Sequence, residues 1–154
     1  MLLCATDLTE TSRHALDTAL ELAPLLRCAS LHVLHVHETV ERIDSVQHEV
    51  DRWDELKREL ETYVATEIDH ARRGKMLPAE LSVSTAVRYG KAYREILRYA
   101  ADVHASWIVV GTHGRTGLGH VLGSVAEHVV RLAPRTVIVA KSPEVCALLA
   151  RNAH

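Results

Sequence analysis

The 154-residue chain contains no phenylalanine, and its two tryptophans and four tyrosines leave few platforms for base stacking. Its 18 Lys and Arg residues face 20 Asp and Glu, a formal net charge of −2, so no excess positive field is available for a polyphosphate backbone. Both absences argue against nucleic acid as a partner. No apolar run approaches the ~20 residues needed to cross a bilayer. The opening Met1-Leu2-Leu3-Cys4-Ala5-Thr6-Asp7 carries neither the basic region nor the long apolar core of an export signal. The expectation is a soluble, cytoplasmic protein with no membrane insertion. The three cysteines, Cys4, Cys28 and Cys146, are odd in number and form no CxxC pair, which excludes a disulfide framework and a structural zinc site.

Hydrophobic residues make up 47% of the chain and fall into regular patterns. Leu2 to Ala5 reads as a strand, and Ala15, Leu16, Ala19, Leu20, Ala23 and Leu26 share a helical face after it. Ser30 to His37 is a second strand. Val50, Trp53, Leu56, Leu60, Val64, Ile68 and Ala71 recur at three and four residues in a long amphipathic helix that Gly74 and Pro78 stop. Leu81 to Val87 is strand three, Tyr93 to Val103 a helix, Trp107 to Val110 a fully apolar strand four, Ser124 to Leu132 a helix, and Thr136 to Ala140 strand five. Five strands alternating with four helices require right-handed crossovers, which gives a doubly wound α/β fold, a parallel sheet with helices on both faces. One domain over residues 1–142 and a tail over 143–154 are expected.

Of the seven glycines, five (Gly111, Gly114, Gly117, Gly119, Gly123) fall within the thirteen residues that follow strand four. A strand, a glycine-rich loop and a helix start converge backbone N–H groups and the positive end of a helix dipole where an anion can sit. Ser124 with Glu127 has the form of a capping box at that helix start. The glycines also suit a plain turn, and Ser124 a plain cap. A P-loop is excluded, because the one Gly-Lys pair, Gly90-Lys91, precedes Ala92 and has no glycine five positions before it. Gly117-Leu118-Gly119 departs from the dinucleotide fingerprint, the next glycine being four residues on. Thr6 and Asp7, at the end of strand one, suit either ribose contacts at a sheet crevice or the capping of the next helix. The eleven histidines, His32, His35 and His37 among them, show no H-x-x-x-H or completing carboxylate, so no metal site is expected. Cys4, inside an apolar strand, reads as an inert core thiol. No G-x-S-x-G elbow or Ser, His and Asp order supports a hydrolase.

Five segments resemble the universal stress protein family in order along residues 1–142: A-T-D-L-T-E at 5–10, L-H-V at 34–36, G-K-A-Y-R-E-I at 90–96, I-V-V-G-T-H-G-R-T-G-L at 108–118 and G-S-V-A-E at 123–127. The resemblance implies a five-stranded parallel sheet of order 3-2-1-4-5, a homodimer, and the G-x2-G-x9-G-[ST] motif of the ATP-binding branch; the apolar Val137-Ile138-Val139 of strand five, if at the sheet edge, is where the second chain is expected. By position, Gly111, Gly114, Gly123 and Ser124 would surround the phosphates. Thr112, His113, Arg115, Thr116, Gly117, Val125 and Ala126 would lend further contacts, and Ala5, Thr6, Asp7, Val36 and Val110 would enclose adenine and ribose. Eight residues, Arg115 to Leu122, separate Gly114 from Gly123 where the family motif has nine.

The function this implies is a cytoplasmic regulator of stress response that binds ATP, or ADP or AMP, with or without Mg2+, and acts on a protein partner that the residues do not name. A nucleotide-independent dimeric module of the same fold, which the shorter loop would suit, and a slow ATPase or phosphotransfer protein are the alternatives. Arg115 could neutralise developing charge, but no base is identifiable, so no catalytic residue is assigned and hydrolysis is expected to be slow at most.

Overall fold

The structure, a computed structural model, describes residues 1–38, 46–74, 77–78, 80–112 and 122–141. Its elements follow the expected alternation: β1 (Leu2–Thr6), α1 (Glu10–Leu25), β2 (Ser30–His37), α2 (Val46–Arg73), β3 (Ser82–Tyr89), α3 (Ala92–Asp102), β4 (Trp107–Gly111), α4 (Ser124–Leu132) and β5 (Thr136–Ala140). The strands form one sheet of order β3-β2-β1-β4-β5, with every neighbouring pair parallel. The chain winds outward from β1 to β3 and then returns to the other side of β1, so the winding reverses between β1 and β4. In such sheets the connections diverge there and leave a crevice at the carboxyl ends of the strands.

Side-chain alternation divides the core into two layers. Leu2, Cys4, Leu31, Val33 and Val109 face α1 and α2, where they meet Leu16, Leu20, Leu56 and Leu60. Leu3, Leu34, Ile108 and Val110 face α3 and α4, where they meet Ile96, Ala100 and Val129. Cys4 is fully buried, and burial, with Asp17 second, pushes its thiol up to about 12. It carries no thiolate at neutral pH, as its place in an apolar strand implied. Between α1 and α2, the Arg13 guanidinium reaches the buried Glu67 carboxylate at 2.9 Å. Asp17 is pushed above the ordinary carboxylate range, first by burial and then by Glu67.

Pro24 lies in the last turn of α1, and the helix runs through it to Leu25. Both α1 and α3 end in a Schellman motif whose left-handed residue is not glycine. At α1 the amide of Arg27 (φ 52°) donates to Pro24 O and that of Cys28 to Ala23 O; at α3 the amide of His104 (φ 53°) donates to Ala101 O and that of Ala105 to Ala100 O. The exposed His104 keeps a left-handed backbone that an L side chain disfavours, so His104→Gly should stabilise the fold by about 0.5–1 kcal/mol. Chemical denaturation of the variant at pH 7 measures this gain, and a loss would show that the His104 side chain contributes more than the relieved strain.

In the last turn of α3, near the amino ends of the strands, the Tyr99 hydroxyl lies 3.0 Å from His32 Nδ1. Arg88 covers the Tyr99 ring at 5.2 Å from its centroid. Burial, and then the α-ammonium of Met1, hold the His32 imidazole below its ordinary value, and burial pushes the Tyr99 phenol up. At neutral pH a neutral phenol and a neutral imidazole therefore share this hydrogen bond. Because His32 titrates lower in the folded chain than in the unfolded one, the stability it contributes is fully present above pH ~6.5 and is lost as pH falls below that toward the lower folded value. The urea midpoint should decline from pH 7 to pH 5, and His32→Gln should flatten part of the decline. An identical decline in the variant would remove His32 from the account.

Candidate functional site

Cys4 pairs with Val109 across β1 and β4, so three residues further on Asp7 and Thr112 leave the sheet on either side of the winding reversal. The turn after β1 is held by its own side chains. The Thr6 hydroxyl is 2.8 Å from the Ser12 hydroxyl and accepts from the Leu8 amide at 3.1 Å, which holds Leu8 in the left-handed region at φ 64°. His35, 5% exposed, donates from Nδ1 to the Thr6 carbonyl at 3.0 Å. Thr9 caps α1 by accepting from the Ser12 amide. Its own amide and hydroxyl donate to Asp7 Oδ1 at 3.1 and 2.6 Å. Asp7 Oδ2 is buried and has no hydrogen-bond partner among the described residues. Leaving a buried carboxylate oxygen unsatisfied costs free energy, so this oxygen calls for a further donor beyond the described residues.

On the other side of the reversal, the Thr112 amide donates to Ala140 O at 3.0 Å, extending the pairing of β4 with β5 by one residue. The Thr112 carbonyl accepts from the Gly123 amide at 2.7 Å, so the loop leaves and returns at one point. His113, Gly114, Arg115, Thr116 and Gly117 lie outside the described residues, as does the tail from 143.

The Ser124 and Glu127 capping box is not formed. Gly123 is the N-cap, extended at φ −59° and ψ 151°, and brings no side chain to cap the helix. Its amide is committed to Thr112 while its carbonyl accepts from the Glu127 amide at 3.0 Å, so α4 starts at Ser124, one residue earlier than the box requires. The Glu127 carboxylate instead lies 4.0 Å from Arg131 on the helix surface. Ser124 is exposed at the first helical position.

The other predicted contacts fall into two kinds. Ala5, Val36 and Val125 are partly buried at the margin of the α3 and α4 layer, whereas Val110 and Ala126, each 3% exposed, belong to the core itself. They define the wall through packing, and Gly111 carries the strand to its end. Sequence reasoning overlooked the supports. The Glu38 carboxylate accepts from the Ala92 amide at 2.7 Å and so occupies the start of α3. The described clefts lie elsewhere: one of about 540 Å³ is bounded by Leu8, Glu55, Arg58, Glu59, Thr62 and Tyr63, and another of about 440 Å³ by Ser106 and residues 133–136. Among the described residues no cluster of three or more His, Cys, Asp or Glu could hold a metal ion, and no helix is long and apolar enough to cross a membrane.

Comparison with known proteins gives the same picture at the level of family. The universal stress protein YxiE of Bacillus subtilis is 29% identical over 146 residues, covering 91% of this chain and 97% of its own. The solved structure of MJ0577, a universal stress protein of Methanocaldococcus jannaschii, superposes with a TM-score of 0.64 at 26% identity over 92% of this chain and 94% of its own. A universal stress protein of Archaeoglobus fulgidus, solved in complex with dAMP, superposes with a TM-score of 0.59 at 25% identity over 91% of this chain and 96% of its own. The model of the universal stress protein family matches residues 1–141, and the chain belongs to that family.

Proposed function

We propose that the protein is a cytoplasmic regulator of stress response that binds an adenine nucleotide, ATP, ADP or AMP, at the winding reversal between β1 and β4. The observation that carries this reading is the unequal capping of the helices that start at this end of the sheet. The α1 terminus is closed by Thr9 and the α3 terminus by Glu38. At α4 the N-cap is a glycine, which supplies no capping side chain, and among the described residues no other side chain takes its place, which leaves the first-turn amides available to an anion. Asp7 Oδ2, buried and unpartnered across the reversal, is an acceptor suited to ribose hydroxyls. A phosphate at α4 and a nucleoside toward Ala5, Asp7 and Val36 would satisfy both ends at once. The relative solved with dAMP supports a nucleotide of this class. Mg2+, where present, would travel with the phosphates, since the described residues supply no protein cage for it.

Calorimetry with adenosine, AMP, ADP and ATP tests the assignment. Affinity should rise with each phosphate; equal affinity across the series would refute the seat at α4. Asp7→Asn keeps an oxygen for Thr9 and replaces the free acceptor by a donor, so nucleotide affinity should fall about tenfold or more while the melting temperature changes little. Unchanged affinity would detach Asp7 from the site.

We further propose a homodimer through β5. This strand lies at the sheet edge, and Val137, Ile138 and Val139 are only partly buried. An apolar edge invites pairing with a second copy. Sedimentation at micromolar concentration should show a dimer that Ile138→Lys weakens while nucleotide affinity is retained. A monomeric wild type would end the proposal.

A further inference from the structure

We propose that Tyr93 and His128 are positioning residues that lock the first turn of α4, and with it the anion seat, onto α3. The inference rests on the nucleotide reading above and adds the device that holds the phosphate-facing amides in place. His128 stands one turn into α4, and its Nδ1 donates to the Ser124 carbonyl at 2.6 Å. A carbonyl only accepts, so the ring carries its proton on Nδ1 and the tautomer is set. The imidazole is stacked on the Tyr93 ring, with centroids 4.6 Å apart and planes inclined by 25°. Tyr93 lies in the first turn of α3 and packs into the layer that α3 and α4 share. Arg94 completes the chain by donating from Nε to the Tyr93 hydroxyl at 3.1 Å.

A connected series of Arg94, Tyr93, His128 and Ser124 thus crosses the seam between the two helices. It adds a side restraint to a turn that is otherwise held by the Gly123 bond to Thr112 and by the packing of Ala126. The α4 helix has nine residues, short enough that packing must supply its stability, and its glycine N-cap brings the backbone freedom of that residue. The α3 helix is by contrast firmly anchored, at its start by Glu38 on Ala92 and near its end by Tyr99 at His32. Through the ring stack, the rigidity of α3 passes to Ser124, where amides that bind an anion must be held before it arrives.

The test uses the full chain and the variants Tyr93→Leu, Tyr93→Phe, His128→Ala and His128→Gln. Tyr93→Leu and His128→Ala should each lower ATP affinity by about five- to tenfold and leave adenosine affinity within about twofold. Tyr93→Phe, which keeps the ring face, and His128→Gln, which keeps an N–H donor, should recover most of the loss. Without any ligand, hydrogen exchange at the Glu127 and His128 amides should accelerate several-fold in the two disruptive variants and not in the two conservative ones. Equal losses for ATP and adenosine, or unaltered exchange, overturn the proposal. A wild type that binds ATP no better than adenosine defeats the nucleotide reading instead, and the exchange measurement still decides whether Tyr93 and His128 hold the turn.

Discussion

One hydrogen bond, from the Gly123 amide to the Thr112 carbonyl at 2.7 Å, fixes where α4 begins and therefore what the carboxyl end of the sheet offers a ligand. Thr112 is itself fastened to Ala140, so the bond ties the start of the helix to the edge of the core. With its N–H committed outside the helix, Gly123 stays extended while its carbonyl accepts the first intrahelical bond, and Ser124 becomes the first helical residue. The amides of the first turn then have no side chain of their own to satisfy them. A helix that started one residue later would place the Ser124 hydroxyl over those amides and close the terminus.

On the proposed reading, selectivity for an anion at α4 would arise as much from what is filled as from what is open. Of the described helices that start at this end of the sheet, α1, α3 and α4 flank the crevice, and each could draw negative charge by its dipole. The chain places a hydroxyl at α1 and a carboxylate at α3, so two of the three are already satisfied. Glu38 has a further effect. Its negative charge stands near the β2 end, and Asp7 adds another near β1, so a phosphate chain bound as proposed would gain by lying toward α4 with its nucleoside toward Asp7. That orientation would follow from Coulomb repulsion before any shape of the pocket is considered.

The sheet was legible because its strands are apolar, β-branched and bounded by breaks; Ser30 to His37 and Thr136 to Ala140 have the bounds that their patterns give. Asp7 stood out because the end of the first strand in a doubly wound sheet faces the crevice, whatever else the residue does. Other features depend on contacts that no local pattern encodes. The pair Ser124 and Glu127 has capping-box spacing, yet the box loses to a bond from Gly123 to Thr112, eleven positions earlier. Glu38 caps a helix 54 residues away, and nothing at either position announces it. Leu8 is left-handed because the Thr6 hydroxyl holds its amide, at a residue where side-chain type would argue for any other conformation. Histidine counts invited a metal, whereas His32, His35 and His128 each spend a ring nitrogen on a tyrosine or a carbonyl.

The two halves of the site are held by separate sets of bonds. The turn after β1 is closed among Thr6, Asp7, Thr9 and Ser12, and α4 is closed by Thr112 below and His128 beside it. A ligand that joins Asp7 to α4 would therefore bridge two elements already in place. The entropy lost on binding then falls mainly on the ligand and on whatever the intervening loop contributes, because the sheet has ordered both walls in advance. If a ligand binds in the proposed way, its occupancy would change the described scaffold little, because the bonds that hold each half do not cross to the other.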